Sequence, residues 1–377
     1  MTQTRKAVLG AAVLLLAFWV ASKQFQGKSS PVTTGRSPQQ QSPTPVVKPS
    51  AEEEHLKAQT ASKQRVQDDW ASILKWLSST PRPTEEELHA RFLATRIAWA
   101  EIDPQALAAA IQALLETGVD ATTGLDFQVG LHGLLVGWPT LRVFLLDILA
   151  TSDPEMASTI ASQLLDTTNS ADEFATALKS LTRDSLGQAD DAALLARFDQ
   201  MLGHSDWQTS RGFAEAFDLA RFIGTPEAAL RLATWDGNPQ LKAMAMDEFT
   251  AEHPEAMIEI LNSDSPVSGT PRANIMARAD PSSSTQLESV DAYLRRPDLT
   301  PEEAATFLKS FPLRSATTGF RLYGKTPSPY TLEQIKAGDL AARELVEEWL
   351  VDSALDPLRL ELLSLQARLT KWVQQAE

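Results

Sequence analysis

From residue 84 onward, proline repeatedly follows a capping residue, and that pairing limits what this chain can fold into. Proline costs nothing at the first helical position, because its missing N–H would be unpaired there anyway. A preceding Asp, Thr or Asn can accept the next free amides. Asp103-Pro104, Asp153-Pro154, Thr225-Pro226, Asn238-Pro239, Thr300-Pro301 and Asp356-Pro357 have this form, and His253-Pro254 is a weaker version. Capping boxes are expected at Thr84 with Glu87, Ser170 with Glu173 and Thr300 with Glu303. Each marks a helix start.

Apolar spacing agrees with the helical period. Val66, Trp70, Ile73, Leu74 and Leu77 make one stripe, and Leu358, Leu362, Leu365, Leu369 and Val373 make another. Strand-like alternation is nearly absent. The punctuation predicts about fifteen to seventeen short helices. Four starts share a crude phrase: Asp153-Pro154-Glu155-Met156-Ala157, Thr225-Pro226-Glu227-Ala228-Ala229, His253-Pro254-Glu255-Ala256-Met257 and Thr300-Pro301-Glu302-Glu303-Ala304. Their intervals are uneven, so no strict period emerges. The expected fold class is all-α, an irregular helical-repeat body of the α-solenoid type. In general look it resembles degenerate HEAT- or TPR-like arrays. It lacks their consensus positions, so no residue role follows from the resemblance. Two Pro-rich stretches, 264–284 and 311–330, are expected as irregular loops. The first is read as the boundary between an array over 51–263 and a C-terminal helical part over 264–377.

The first 50 residues differ in character. Residues 1–6 form a basic n-region with Arg5 and Lys6, and an apolar run from Ala7 to Ala21 follows. Fifteen helical residues span roughly 22 Å, short of a hydrocarbon core of roughly 30 Å, which suits a signal peptide. Cleavage after Ala21 would put bulky Trp19 at the −3 position, and cleavage after Ser22 is only acceptable. Trp19 and Lys23 suit a membrane interface. Residues 7–22 are therefore read as an uncleaved transmembrane anchor, with a cleaved signal peptide as the alternative. Residues 23–50, rich in Pro, Ser and Gln, are read as a disordered linker. Both readings export the body, so a bacterial inner membrane with the body in the periplasm is the expected location.

Charge follows the same division. Of 34 basic groups, six precede residue 51, where there is no Asp or Glu. The remaining 28 face 49 acidic groups, a net of −21 beyond Ser50. Such a body repels nucleic acid and anionic lipid surfaces, and its commonest role is solubility. With no cysteine, disulfides, thiol catalysis and Cys-based zinc sites are excluded.

Local chemistry is thin. Gly319 to Thr326 satisfies the phosphate-loop string, with Gly324, Lys325 and Thr326 at its end. Polar Arg314 to Thr318 precede it instead of a strand, and Pro327 and Pro329 oppose a following helix. Nucleotide is not expected there. Ser72 and Lys75 have the Ser-x-x-Lys spacing of penicillin-recognising enzymes, without the companion elements. His55, His89, His132, His204 and His253 are scattered, and His204 with Asp206 reads as helix-start chemistry. Eight Trp lie in the body, read as packing anchors, with one or two facing a groove as the functional variant. No catalytic, cofactor or metal residue is assigned. The function expected is a non-catalytic scaffold binding envelope proteins or peptides. The alternative is an all-helical hydrolase acting on glycan or peptidoglycan with a carboxylate pair.

Overall fold

The computed structural model describes residues 51–184, 190–262, 267–313, 319–324 and 331–375. The expected anchor at 7–22 and linker at 23–50 lie outside them, as do Lys325 and Thr326. Residues 51–377 form one compact unit. Among the described residues the protein is all-α apart from one small hairpin.

The chain opens with α1 (Ala51–Leu77), α2 (Glu85–Trp99) and α3 (Pro104–Glu116). The hairpin β1 (Gln128–Val129) and β2 (Leu135–Gly137) follows, antiparallel and bulged. Next come α4 (Leu141–Ser152), α5 (Pro154–Leu165), α6 (Ala171–Asp184) and α7 (Asp191–Leu202). Two short helices, α8 (Arg211–Ala216) and α9 (Asp218–Ile223), lead to α10 (Pro226–Thr234), α11 (Pro239–Glu252) and α12 (Pro254–Asn262). The chain closes with α13 (Thr270–Met276), α14 (Ser284–Leu294), α15 (Pro301–Ser310), α16 (Leu332–Val351) and α17 (Arg359–Gln375).

The Pro-led starts form where expected. Asp103, Asp153, Thr225, Asn238 and Thr300 each accept a backbone amide of the helix that follows. Thr84 and Glu87 make a full capping box. Ser170 and Thr300 cap only one way, because Glu173 and Glu303 turn to tertiary partners. Asp356-Pro357 does not start a helix. Asp352 caps a 3₁₀ turn over Ser353–Leu358 with Pro357 inside, and α17 begins at Arg359. The stretch 264–284 is not wholly irregular, since it contains α13, with Pro271 accommodated in its first turn. We expect Thr84→Ala to lower stability by about 1 kcal/mol, read as a shift in the urea midpoint.

Helices pack on neighbours and on the next helix but one. One series runs α4 on α6, α6 on α8, α9 on α11, α11 on α13, α13 on α15 and α15 on α17. A second runs α7 on α10, past the short α8 and α9, then α10 on α12 and α12 on α14. Packing continues across residue 263, since α11 and α12 both touch α13. α4 is covered nearly all round, and its buried Asp147 accepts from Arg96 (2.9 Å) and Trp138 (3.0 Å). Phe92, Trp99, Trp138 and Phe144 form one aromatic cluster beside it.

Several of the side-chain ties between helices span similar separations, beside others of 26 to 60 residues. Arg142–Glu173, Asp166–Arg197, Asp247–Arg278, Glu255–Gln286 and Arg272–Glu303 each bridge 31 residues. Asp199–Arg231 and the Arg221 carbonyl with His253 bridge 32.

Candidate functional site

Two places concentrate chemistry: an internal carboxylate clamp and an open apolar groove. The clamp holds the strap 319–324. Glu248 of α11 accepts the amides of Gly319 and Phe320. Glu215 of α8 accepts the amide of Arg321, and Asp218 of α9 that of Tyr323, each at 2.8 Å. Asp218 also pairs with buried Arg221 (Nε to Oδ1 2.7 Å). Phe320 and Leu322 are buried over these acids, and Phe320 stacks on Phe217 at 6.0 Å. The strap ends in a turn, Gly324 N–H to Arg321 carbonyl at 2.9 Å, which locks against the hairpin. A Cβ on Gly324 would sit 2.4 Å from the carbonyl carbon of His132, and one on Gly133 2.6 Å from the Leu322 carbonyl oxygen. Both glycines have φ near +70°, so only glycine fits at this junction.

Burial pushes all three clamp carboxyls upward: Glu215 and Asp218 in direction, Glu248 to about 7. The strap amides oppose that shift at each acid. A perturbed, buried carboxyl is often catalytic. Here the acids accept the strap amides and are buried together with Phe320 and Leu322.

This geometry also disposes of the phosphate-loop string. In a phosphate cradle the amides face an anionic ligand. Those of Gly319, Phe320, Arg321 and Tyr323 face the protein's own carboxylates. Ser72 and Lys75 lie on the exposed side of α1, and Ser72 accepts from Arg91 at 3.3 Å. His204 stacks on Trp207 at 3.7 Å, beside Asp206. His253 lies 2.8 Å from the Arg221 carbonyl oxygen. Among the described residues no three His, Asp or Glu gather as metal ligands. A surface hollow of about 340 Å³ carries Asp153 and Glu155, but Asp153 is occupied capping Met156 at 3.0 Å.

Six of the body tryptophans are buried: Trp70, Trp99, Trp138, Trp207, Trp235 and Trp349. Trp76 and Trp372 are half-buried. Trp372 belongs to the second place, a groove of about 700 Å³ between the end of α15 and the faces of α16 and α17. Its walls are mostly apolar: Pro312, Leu313, Leu332, Ile335 and Trp372. Leu332 is 82% exposed. Arg368 stacks over Trp372 at 5.4 Å and turns its donors to the carbonyls of Leu308 (3.0 Å), Lys309 and Phe311. That fixes the indole face while satisfying the end of α15. Burial pushes the Arg368 guanidinium downward.

No protein-family model, curated protein or solved structure matches this chain. Among the described residues no helix is long and apolar enough to cross a membrane.

Proposed function

We propose that residues 51–377 form a two-layer helical-repeat array that binds other proteins through the Trp372 groove. In this reading residues 7–22 tether it to a bacterial inner membrane, and the linker 23–50 holds it out in the periplasm. The observation that carries the reading is the groove itself. It is open, apolar and walled by two long helices, and a preset indole lies in it. Such grooves suit the apolar face of a partner helix. The 31-residue ties are consistent with the repeat reading. The acidic surface outside the groove suits solubility.

The hydrolase alternative has one supporting feature, the raised Glu248 carboxyl. The strap that covers it weighs against that use.

Affinity capture of the full-length protein from its own envelope tests the proposal. Trp372→Ala should weaken capture of the partner about 30-fold, the loss of a central interface aromatic. Leu332→Ala, at an exposed position that the fold does not need, should weaken it in the same direction. Equal capture by wild type and both variants would exclude the groove.

A further inference from the structure

The body carries a net charge of −21 beyond Ser50, yet the α15 and α17 walls of the Trp372 groove are basic. Residues 304–313 and 362–375, which include those walls, contain Lys309, Arg368 and Lys371 and no Asp or Glu. Lys309 and Arg368 both line the groove. They come from different helices and lie together, because Arg368 Nη1 donates to the Lys309 carbonyl at 2.6 Å. Lys371, which precedes Trp372, is exposed.

Among the described residues none of these charges meets a carboxylate. The Lys309 side chain is exposed, and its ammonium makes no hydrogen bond or ion pair there. Arg368 gives its Nη donors to the backbone carbonyls of Leu308, Lys309 and Phe311. The one carboxylate on the described walls, Asp339, is 2% exposed and has an interaction of its own. The α16 wall otherwise offers Leu332 and Ile335. Apolar surface thus adjoins a cationic edge. A partner that matched only the apolar walls would draw the Lys309 charge out of water with nothing to pair it, which costs free energy.

Given that the Trp372 groove is the binding face, we infer that its occupant is an acidic amphipathic helix of another protein. Apolar side chains at i, i+3, i+4 and i+7 lie on Leu332, Ile335 and Trp372, and an Asp or Glu on one flank meets Lys309. Arg368 contributes its charge but not its Nη donors, which the carbonyls hold. The acidic body opposes such a partner at long range. That repulsion is screened beyond about 8 Å at physiological ionic strength, whereas a pair formed at contact is screened less. The edge therefore selects among helices at contact, where charge complementarity gives specificity.

Two peptides of about 18 residues test the inference by fluorescence anisotropy with the full-length protein. Each has one Leu face at that spacing and is stapled into a helix, so helicity does not differ between them. One carries Glu on its flanks and the other Gln. The Glu peptide should bind about fivefold more tightly, the scale of one or two exposed ion pairs. The difference should fall below about twofold in roughly 0.5 M salt. It should fall as far in Lys309→Gln, with the melting temperature unchanged because the ammonium has no partner to lose. Trp372→Ala should weaken both peptides. Equal binding of the two peptides, or tighter binding of the Gln peptide, with both weakened in Trp372→Ala, would overturn the acidic partner and leave the groove reading standing. Binding of neither, or binding unchanged in Trp372→Ala, would overturn both. A preference for Glu that survives Lys309→Gln would place the charge contact elsewhere and overturn the inference. Self-association of the full-length protein that Trp372→Ala abolishes would put a second copy in the groove and also overturn it.

Discussion

Glu303→Ala will lower the unfolding free energy by about 3–5 kcal/mol, the usual cost of removing one member of a buried ion pair. Glu303 and Arg272 face each other between α15 and α13, with side chains 1% and 3% exposed. Glu303 also accepts from the Tyr293 hydroxyl (2.8 Å) and the Gly269 amide (2.9 Å). One carboxylate thus serves three donors from different elements. Burial pushes its carboxyl up, but Arg272, Tyr293 and the Gly269 amide outweigh that and hold it below the usual range. Truncation leaves the guanidinium, phenol and amide without their acceptor in a site closed to water. Asp298 still holds Arg272 at 2.9 Å, so the loss is large but not total. Urea denaturation of the variant checks the value, and a change under about 1 kcal/mol would show that the network adds little. The sign with pH follows. A carboxyl lowered on folding gives stability that is present above its unfolded value and lost as pH falls through its folded one.

Glu248→Gln will do the opposite, with a gain that grows as pH rises from about 4.5 to about 7. The Glu248 carboxyl lies at about 7 in the folded protein and near 4.5 when unfolded. Its raised value gives stability that is present below pH 4.5 and lost as pH rises through about 7. Glutamine keeps an oxygen for the Gly319 and Phe320 amides and carries no charge to bury. The stability of Glu248→Gln relative to wild type should therefore rise by roughly 2–3 kcal/mol between pH 5 and pH 8. Glu215 and Asp218 shift in the same direction, so the variant keeps some dependence of its own. Paired melts at the two pH values read the difference. A difference that does not change with pH would mean that Glu248 ionises on folding as it does in water.

The helix starts were legible because a cap needs only the few residues around it. Asp103, Asp153 and Thr300 and the prolines after them carry their own hydrogen-bond logic. Asp356-Pro357 misled because Asp352, four residues earlier, took the capping role first. The hairpin left a signal that went unused. Leu125, Phe127 and Val129 are buried, while Asp126 and Gln128 between them are exposed, the period of a half-buried strand. The ties that span 31 residues were hidden for another reason. The capping phrases at 153, 225, 253 and 300 are unevenly spaced. Those ties are Arg–carboxylate pairs for the most part, which only a folded chain brings together. The strap and the groove were not legible at all. Glu248, Glu215 and Asp218 lie 71 to 106 residues from the amides they accept, and backbone donors leave no mark in a sequence. Trp372 was one of eight candidates, and its groove depends on α15, which lies some 60 residues earlier.

The most direct measurement is photo-cross-linking of the full-length protein in its native envelope, with the reactive group at Leu332 in the groove or at exposed Val351 outside its walls. A binding array predicts one discrete protein adduct from position 332, lost on Trp372→Ala, and none from position 351. Equal adducts from both positions, or none from position 332 while the purified protein turns over a glycan substrate, would contradict it.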